Sequence, residues 1–174
     1  METSNRSPQR AGPLTWETTR FGQLTVAEEQ IITLAGGLLG FPGYTRYVIV
    51  SQEEGVPFRW LQSVEHPALA FVIIDPWGFK PDYALELPAE VCASLQLSED
   101  QPPLVFAIVT VPLDPSGITA NLQGPLVINL VTRQGQQVVL THSPYTTRHV
   151  ILGDLWRARD GDNGASNGIH HSAV

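Results

Sequence analysis

The chain has 174 residues, of which 43% are hydrophobic and 16% charged; this is enough apolar surface for one buried core and too much for a disordered chain. A formal charge of −7, with Lys and Arg scattered rather than clustered, argues against an interface that neutralises phosphates, so direct nucleic-acid binding is not expected. The single cysteine, Cys92, rules out an internal disulfide framework and a Cys-rich zinc site, and fits a reducing, cytoplasmic setting.

Residues 1–13 are polar, and Arg6 and Arg10 have no apolar stretch behind them, so this segment reads as a disordered tail rather than a secretory signal. The folded domain is expected over residues 14–156. It is built from short runs rich in Val, Ile, Phe, Tyr and Thr and cut by Gly, Pro and Asp, which is the signal of β-strands. These runs lie near Thr15–Phe21, Leu24–Ala27, Ile31–Leu34, Arg46–Ser51, Phe58–Val64, Leu69–Ile74, Tyr83–Leu87, Leu104–Val111, Leu126–Val131 and Gln137–Thr141, with a weaker element at His149–Trp156. Phe71-Val72-Ile73-Ile74 and Leu104 to Val109 are almost continuously apolar and predict central strands covered on both faces.

Phe58 to Val64 alternates instead, with Phe58, Trp60, Gln62 and Val64 on one face and Arg59, Leu61 and Ser63 on the other, which predicts a half-exposed strand. Most links are too short for parallel crossovers, so the ladder should be mainly antiparallel. Arg133-Gln134-Gly135-Gln136 reads as a hairpin turn, with Gly135 free to take the positive φ such turns need. Pro88 to Leu97 predicts a short helix, with Pro88 at its start, Glu90 in its first turn and Val91 and Leu95 on one face. Residues 157–174 form a second polar tail. The fold class is therefore mainly β: an antiparallel, barrel-like or sandwich domain with one or two short helices. The longest apolar run, Leu104 to Leu113, is broken by Thr110 and Pro112 and falls well short of the roughly 20 residues a membrane helix requires.

Chemistry is hard to locate in this pattern. Glycine-rich nucleotide loops and the Gly-x-Ser-x-Gly turn of serine hydrolases are missing. Asp160-Gly161-Asp162-Asn163-Gly164 starts like a calcium loop, but its Gly falls one place early and the closing Glu is missing. His66, His142 and His149, considered with Glu65 and Asp75, have no metal-ligand spacing. Ser143 beside His142 is no triad, since neighbours on a strand face opposite ways. His170-His171 reads as a solvated pair, and Cys92 as a small buried hydrophobe. We expect no catalytic residue, no metal and no cofactor.

An identity emerges from motif order. The sequence carries Thr19-Arg20-Phe21-Gly22, then Gly37-Leu38-Leu39-Gly40-Phe41, then Phe58 to Val64, Ala70-Phe71-Val72, Asp75-Pro76 and Asp82-Tyr83. Thr119 to Asn129, Gly135-Gln136-Gln137-Val138 and Tyr145-Thr146-Thr147-Arg148-His149 follow. In this order they resemble the flagellar assembly factor FliW family, with Leu39 standing where the family usually has Pro. The resemblance implies a cytoplasmic, barrel-like protein that binds flagellin and, alternatively, the translational repressor CsrA, relieving repression of flagellin messenger RNA; CsrA would be held away from its RNA groove.

We expect a monomer whose partner-binding surface gathers Gln62, Ser63, Glu65, Asp75, Trp77, Asp82 and Asn121, with Trp60 and Phe79 as further aromatic anchors. The structural alternative is that Gln62 and Ser63 satisfy buried backbone, Asn121 and Asn129 close turns, and Asp75 starts one. The strands at Phe58–Val64 and Leu126–Val131 are candidate edges for strand addition. Two alternatives remain: a barrel that binds a small ligand, which requires a large interior pocket, and an undetected enzyme, which requires shifted pKa values converging in one cleft.

Overall fold

The computed structural model describes residues 12–164, with side chains placed up to Arg159. Seven strands close a barrel in the order β7 (Leu104–Thr110), β6 (Ala70–Ile74), β5 (Phe58–Ser63), β4 (Arg46–Val50), β3 (Ile32–Leu34), β10 (Gln134–Gln137) and β9 (Leu126–Ile128), and β9 pairs back onto β7. Beyond its pairing with β9, the end of β7 carries β8 (Thr119–Ala120), which in turn carries β11 (His149–Val150). β1 (Leu14–Thr18) and β2 (Gly22–Val26) form a separate hairpin. Every pairing is antiparallel except β3 with β10, which are far apart in sequence and run parallel.

The period-two alternation of strands explains the two cores. Ile32, Leu34, Tyr47, Leu61, Ile73, Phe106, Leu126 and Ile128 point into the lumen and fill it, none more than 2% exposed. The next residues along the same strands, Ile74, Ala107 and Val127, join a second cluster with Phe79, Tyr83, Val138, Leu140 and Ile151. Val91 and Leu95 at the short helix α1 (Ala89–Ser94) belong to that cluster as well. β6 and β7 therefore read as continuous apolar runs because both of their faces are covered, as expected.

Several elements depart from their sequence-based outlines. Gly135 is not in the turn: the left-handed residue is Arg133, at φ 57, while Gly135 is a buried residue of β10. It faces the lumen, and a Cβ there would come within 2.8 Å of Leu34 Cδ2 and 3.0 Å of Ile128 Cγ1. Its glycine serves close approach rather than turn geometry. Gly135→Ala should lower stability by about 1–3 kcal/mol through overpacking, measured as a drop in the urea midpoint.

β9 stops at Ile128, and Leu130 and Val131 lie exposed in the turn that follows. Tyr83–Leu87 and Gln137–Thr141 have strand composition, but apart from Gln137 they join no strand. The expected helix is present and shorter. Leu97 N donates to Cys92 O and Gln96 N to Ala93 O, a C-terminal Schellman turn with Gln96 left-handed at φ 53. A second helix, α2 (Leu152–Gly164), continues past Trp156, where the sequence placed the end of the domain, into the stretch expected to be a tail. The Asp160–Gly164 stretch lies where side chains are not described, and the His170-His171 pair lies outside the described residues. Among the described residues no helix is long and apolar enough to cross a membrane.

Candidate partner-binding surface

The hairpin between β5 and β6 is built by its own polar residues. Gln62 Nε2 donates to the carbonyls of Ser63 (3.0 Å), Pro67 (3.3 Å) and Leu69 (3.2 Å). Ser63 Oγ accepts from the backbone N–H of Glu65 (3.1 Å) and of His66 (3.0 Å). Both residues are 0% exposed. This corrects the expectation that they face a partner: burial obliges them to satisfy the turn's main chain, and they position what the turn displays.

What the turn displays is Glu65 and His66, both exposed. Glu65 is steadied by Thr45, whose N–H and hydroxyl donate to its carboxylate at 3.2 and 3.3 Å. His66 packs edge-on to Tyr44 and accepts a hydrogen bond from Ala68 N, a local role with no metal-like company. The tip of the β1–β2 hairpin closes over this end. Thr19 N donates to Pro67 O at 3.0 Å, Arg20 stacks its guanidinium 4.1 Å from the Trp60 ring centre, and Phe21 meets the same ring edge-on. Trp60 is thus engaged within the chain, not offered as an anchor.

Asp75, Trp77 and Asp82 sit at the other end. Phe58 pairs with Ile74 and Gln62 with Ala70, so Asp75 follows one end of the β5–β6 ladder and Glu65 the opposite end, on the order of 15–20 Å away at the rise of an extended strand. The expected single surface is therefore two. Asp75 caps the short 3-10 turn Pro76–Gly78 by accepting from Trp77 N at 2.9 Å. Trp77 is 39% exposed, yet its indole N–H is fixed to Tyr83 O at 3.0 Å. Asp82 is exposed and pairs with Lys80 at 3.0 Å, and that hydrogen bond and charge hold its carboxyl below the usual range.

Tyr83 ties this end together. Its buried hydroxyl donates to Leu122 O at 2.8 Å, and desolvation pushes its pKa up to about 12. Asn121, beside Leu122, is partly buried and closes its own turn by accepting from Gly124 N at 2.8 Å. Phe79 is only 3% exposed and stacks on His149, so it is core and not a surface anchor.

The sequence reading overlooked Trp156. It is 58% exposed on α2 and, with Phe58, Leu152, Leu155 and Gly78, borders an open groove of about 510 Å³ adjoining the Trp77 end. The apolar spacing Leu152, Leu155, Trp156 is the helical signal that marks it. α2 is anchored by Asp154, which receives hydrogen bonds from His149 Nε2 (2.8 Å) and from Arg157. Burial disfavours ionisation of Asp154, but these two partners outweigh it and hold its carboxyl below the usual range.

The shifted groups do not share a single cleft, although Asp82 and Asp154 both line one open groove of about 310 Å³ with Lys80 and Arg157. Tyr47 is raised to about 12 by burial in the lumen, Asp114 is lowered by Ser116 at a distant turn, and Asp82 and Asp154 are held ionised by cations. Among the described residues no three His, Cys, Asp or Glu side chains gather as a metal site needs.

Comparison with known proteins agrees with this architecture. The family model described as FliW protein matches residues 15–151, which contain the whole barrel. A flagellar assembly factor FliW of Alkaliphilus metalliredigens is 39% identical over 151 residues, covering 86% of this chain and 93% of its own. One of Geobacter sulfurreducens is 42% identical over 142 residues, covering 82% and 89%. A crystal structure of the flagellar assembly factor FliW superposes with a TM-score of 0.74 at 35% identity, covering 80% of this chain and 97% of that one.

Proposed function

We propose that this chain, which belongs to the FliW family of flagellar assembly factors, acts in the cytoplasm as a non-catalytic scaffold that binds flagellin and, alternatively, the translational repressor CsrA. The observation that carries this is the extent of the family match, which takes in every strand of the barrel from β3 to β10. The filled lumen supports it further, because a barrel packed by its own side chains does its work on the outside. For the same reason the small-ligand barrel loses its main requirement, a large interior pocket.

Competition is enough to make such a scaffold a sensor. If two partners bind one protein unfavourably together, each lowers the other's affinity by the same factor. Free flagellin would occupy the scaffold and release CsrA, and flagellin translation would fall. Size-exclusion chromatography of the chain with flagellin, with CsrA and with both tests this. The expected result is two binary complexes and loss of one when the other partner is in excess; absence of either binary complex rejects the proposal.

The separation of the two acidic ends gives a sharper test. Glu65→Lys and Asp82→Lys each reverse an exposed charge at opposite ends of the β5–β6 ladder. At least one of them should weaken one partner about two- to fivefold, with the effect fading at high salt. Unchanged titrations for both variants, with the fold intact, remove these ends from the interface.

A further inference from the structure

Two segments with strand composition, Tyr83–Leu87 and Val138–Thr141, remain outside the sheets, and they form opposite walls of one groove. It measures about 430 Å³ and is lined by Glu86 and Leu87 on one side and Val139, Thr141 and Tyr145 on the other. Each wall alternates as a strand does. Tyr83 is buried, Ala84 exposed, Leu85 half-buried and Glu86 exposed, and opposite them Val138 and Leu140 are buried while Val139 and Thr141 are exposed.

The main chain shows the same alternation. Val138 N donates to Pro125 O and Leu140 N to Gln123 O, both at 2.8 Å, so the even-numbered residues spend their amides on the body of the protein. In an extended chain the next residues turn their N–H and C=O to the opposite edge. Among the described residues the amides of Val139 and Thr141 find no protein acceptor, nor do those of Leu85, Glu86 and Leu87 across the groove. Tyr145 closes one end: its hydroxyl accepts from Ala84 N at 2.6 Å, bridging the walls. A short free strand edge beside an apolar trough is the arrangement that takes up an extended peptide, whose backbone completes the ladder while alternate side chains enter the trough.

We infer that this groove binds an extended segment of a partner protein, paired by main-chain hydrogen bonds to Val139 and Thr141. Charge selects its chemistry. Among the described residues Glu86 is the groove's carboxylate, His142 is its one imidazole and no Lys or Arg lines it, and the chain as a whole carries −7, so the segment alternates apolar residues with Lys or Arg. The inference rests on the scaffold function proposed above, and it adds where and in what conformation one partner segment is held.

The test uses the full chain labelled with nitrogen-15 and two amidated hexapeptides, Lys-Val-Lys-Val-Lys-Val and Glu-Val-Glu-Val-Glu-Val. The basic peptide should shift the amide resonances of Val139 and Thr141 and slow their hydrogen exchange about tenfold at saturation. Glu86→Lys, an exposed change that leaves the fold alone, should weaken it about two- to fivefold. Equal effects of the two peptides, or shifts confined to other surfaces, would overturn the inference. Neither result depends on CsrA or flagellin, whose complexes are measured separately, so the scaffold can stand with this groove empty.

Discussion

Asn129→Ala is expected to lower the stability of the chain by about 3 kcal/mol, seen as a lower urea midpoint at unchanged slope. Asn129 is 6% exposed and uses every hydrogen-bonding position of its amide. Nδ2 donates to Leu95 O at 2.8 Å and Gln96 O at 3.2 Å, while Oδ1 accepts from Val131 N at 2.9 Å and Thr132 N at 3.2 Å. The first pair finishes the Schellman turn of α1, where Leu95 O would otherwise be buried without a donor. The second pair folds the β9–β10 turn, in which Arg133 is left-handed.

Removing the amide strands groups on two elements that are more than thirty residues apart, and each unsatisfied buried group costs about 1–3 kcal/mol. Asn129→Asp separates donor from acceptor. Its carboxylate keeps the bonds from Val131 and Thr132 but turns negative oxygen toward two carbonyls, which raises its folded pKa above the unfolded value near 3.9. The sign follows: that variant regains stability as pH falls through the raised pKa, because the protonated acid can donate again. A variant as stable as the parent at neutral pH would show that Asn129 does not join the two elements.

How much of this was legible before the structure depended on the range of the interactions. β6 and β7 were readable because continuous apolar runs need only the rule that both faces are covered. Asn129 was readable as a turn closer, since Val131 and Thr132 are its neighbours; its reach to α1 was not, because no local pattern encodes a partner 34 positions away. Gln62 misled for the same reason. Alternation along β5 put it on one face with Phe58, Trp60 and Val64 and left open whether it met a partner or buried backbone; the 64–69 turn folds back over it and makes it the buried donor to Pro67 and Leu69. Tyr83–Leu87 and Val138–Thr141 have the composition of strands and the alternation of strands, and only the tertiary arrangement shows that each has an edge without a strand neighbour. α2 was obscured by polar residues among few apolar ones, so that its half-buried pair, Leu152 and Leu155, carried little signal. The family resemblance depended on motif order and was confirmed by the match over residues 15–151, yet it did not say that Gln62 and Ser63 act from inside.

The larger effect is expected from Gly37→Ala, which should cost about 3–4 kcal/mol, the sum of a strained backbone and an overpacked turn. Gly37 stands at φ +68, and a Cβ there would lie 2.4 Å from Phe41 O, 2.8 Å from Tyr44 O and 2.9 Å from Pro42 Cα. These are main-chain atoms and cannot swing aside as a side chain would, so the whole 41–44 loop must move. That loop seals one end of the barrel: Leu38 is 2% exposed within the lumen cluster, Phe41 N donates back to Leu38 O at 2.8 Å, and Phe41 packs edge-on to Phe71. It is also tied to β10, because Leu39 N donates to Gln137 Oε1 at 2.9 Å, a bond that a proline at this position could not make. Gly40→Ala supplies the control, since φ is +86 but no atom lies within 4 Å of the added Cβ. It should bear only the conformational cost, about 1–2 kcal/mol. Equal losses for the two variants would mean that backbone strain alone governs the loop; a markedly larger loss at Gly37 locates the constraint in the contact between Gly37 and the 41–44 main chain, on which the seating of Leu38 in the barrel depends.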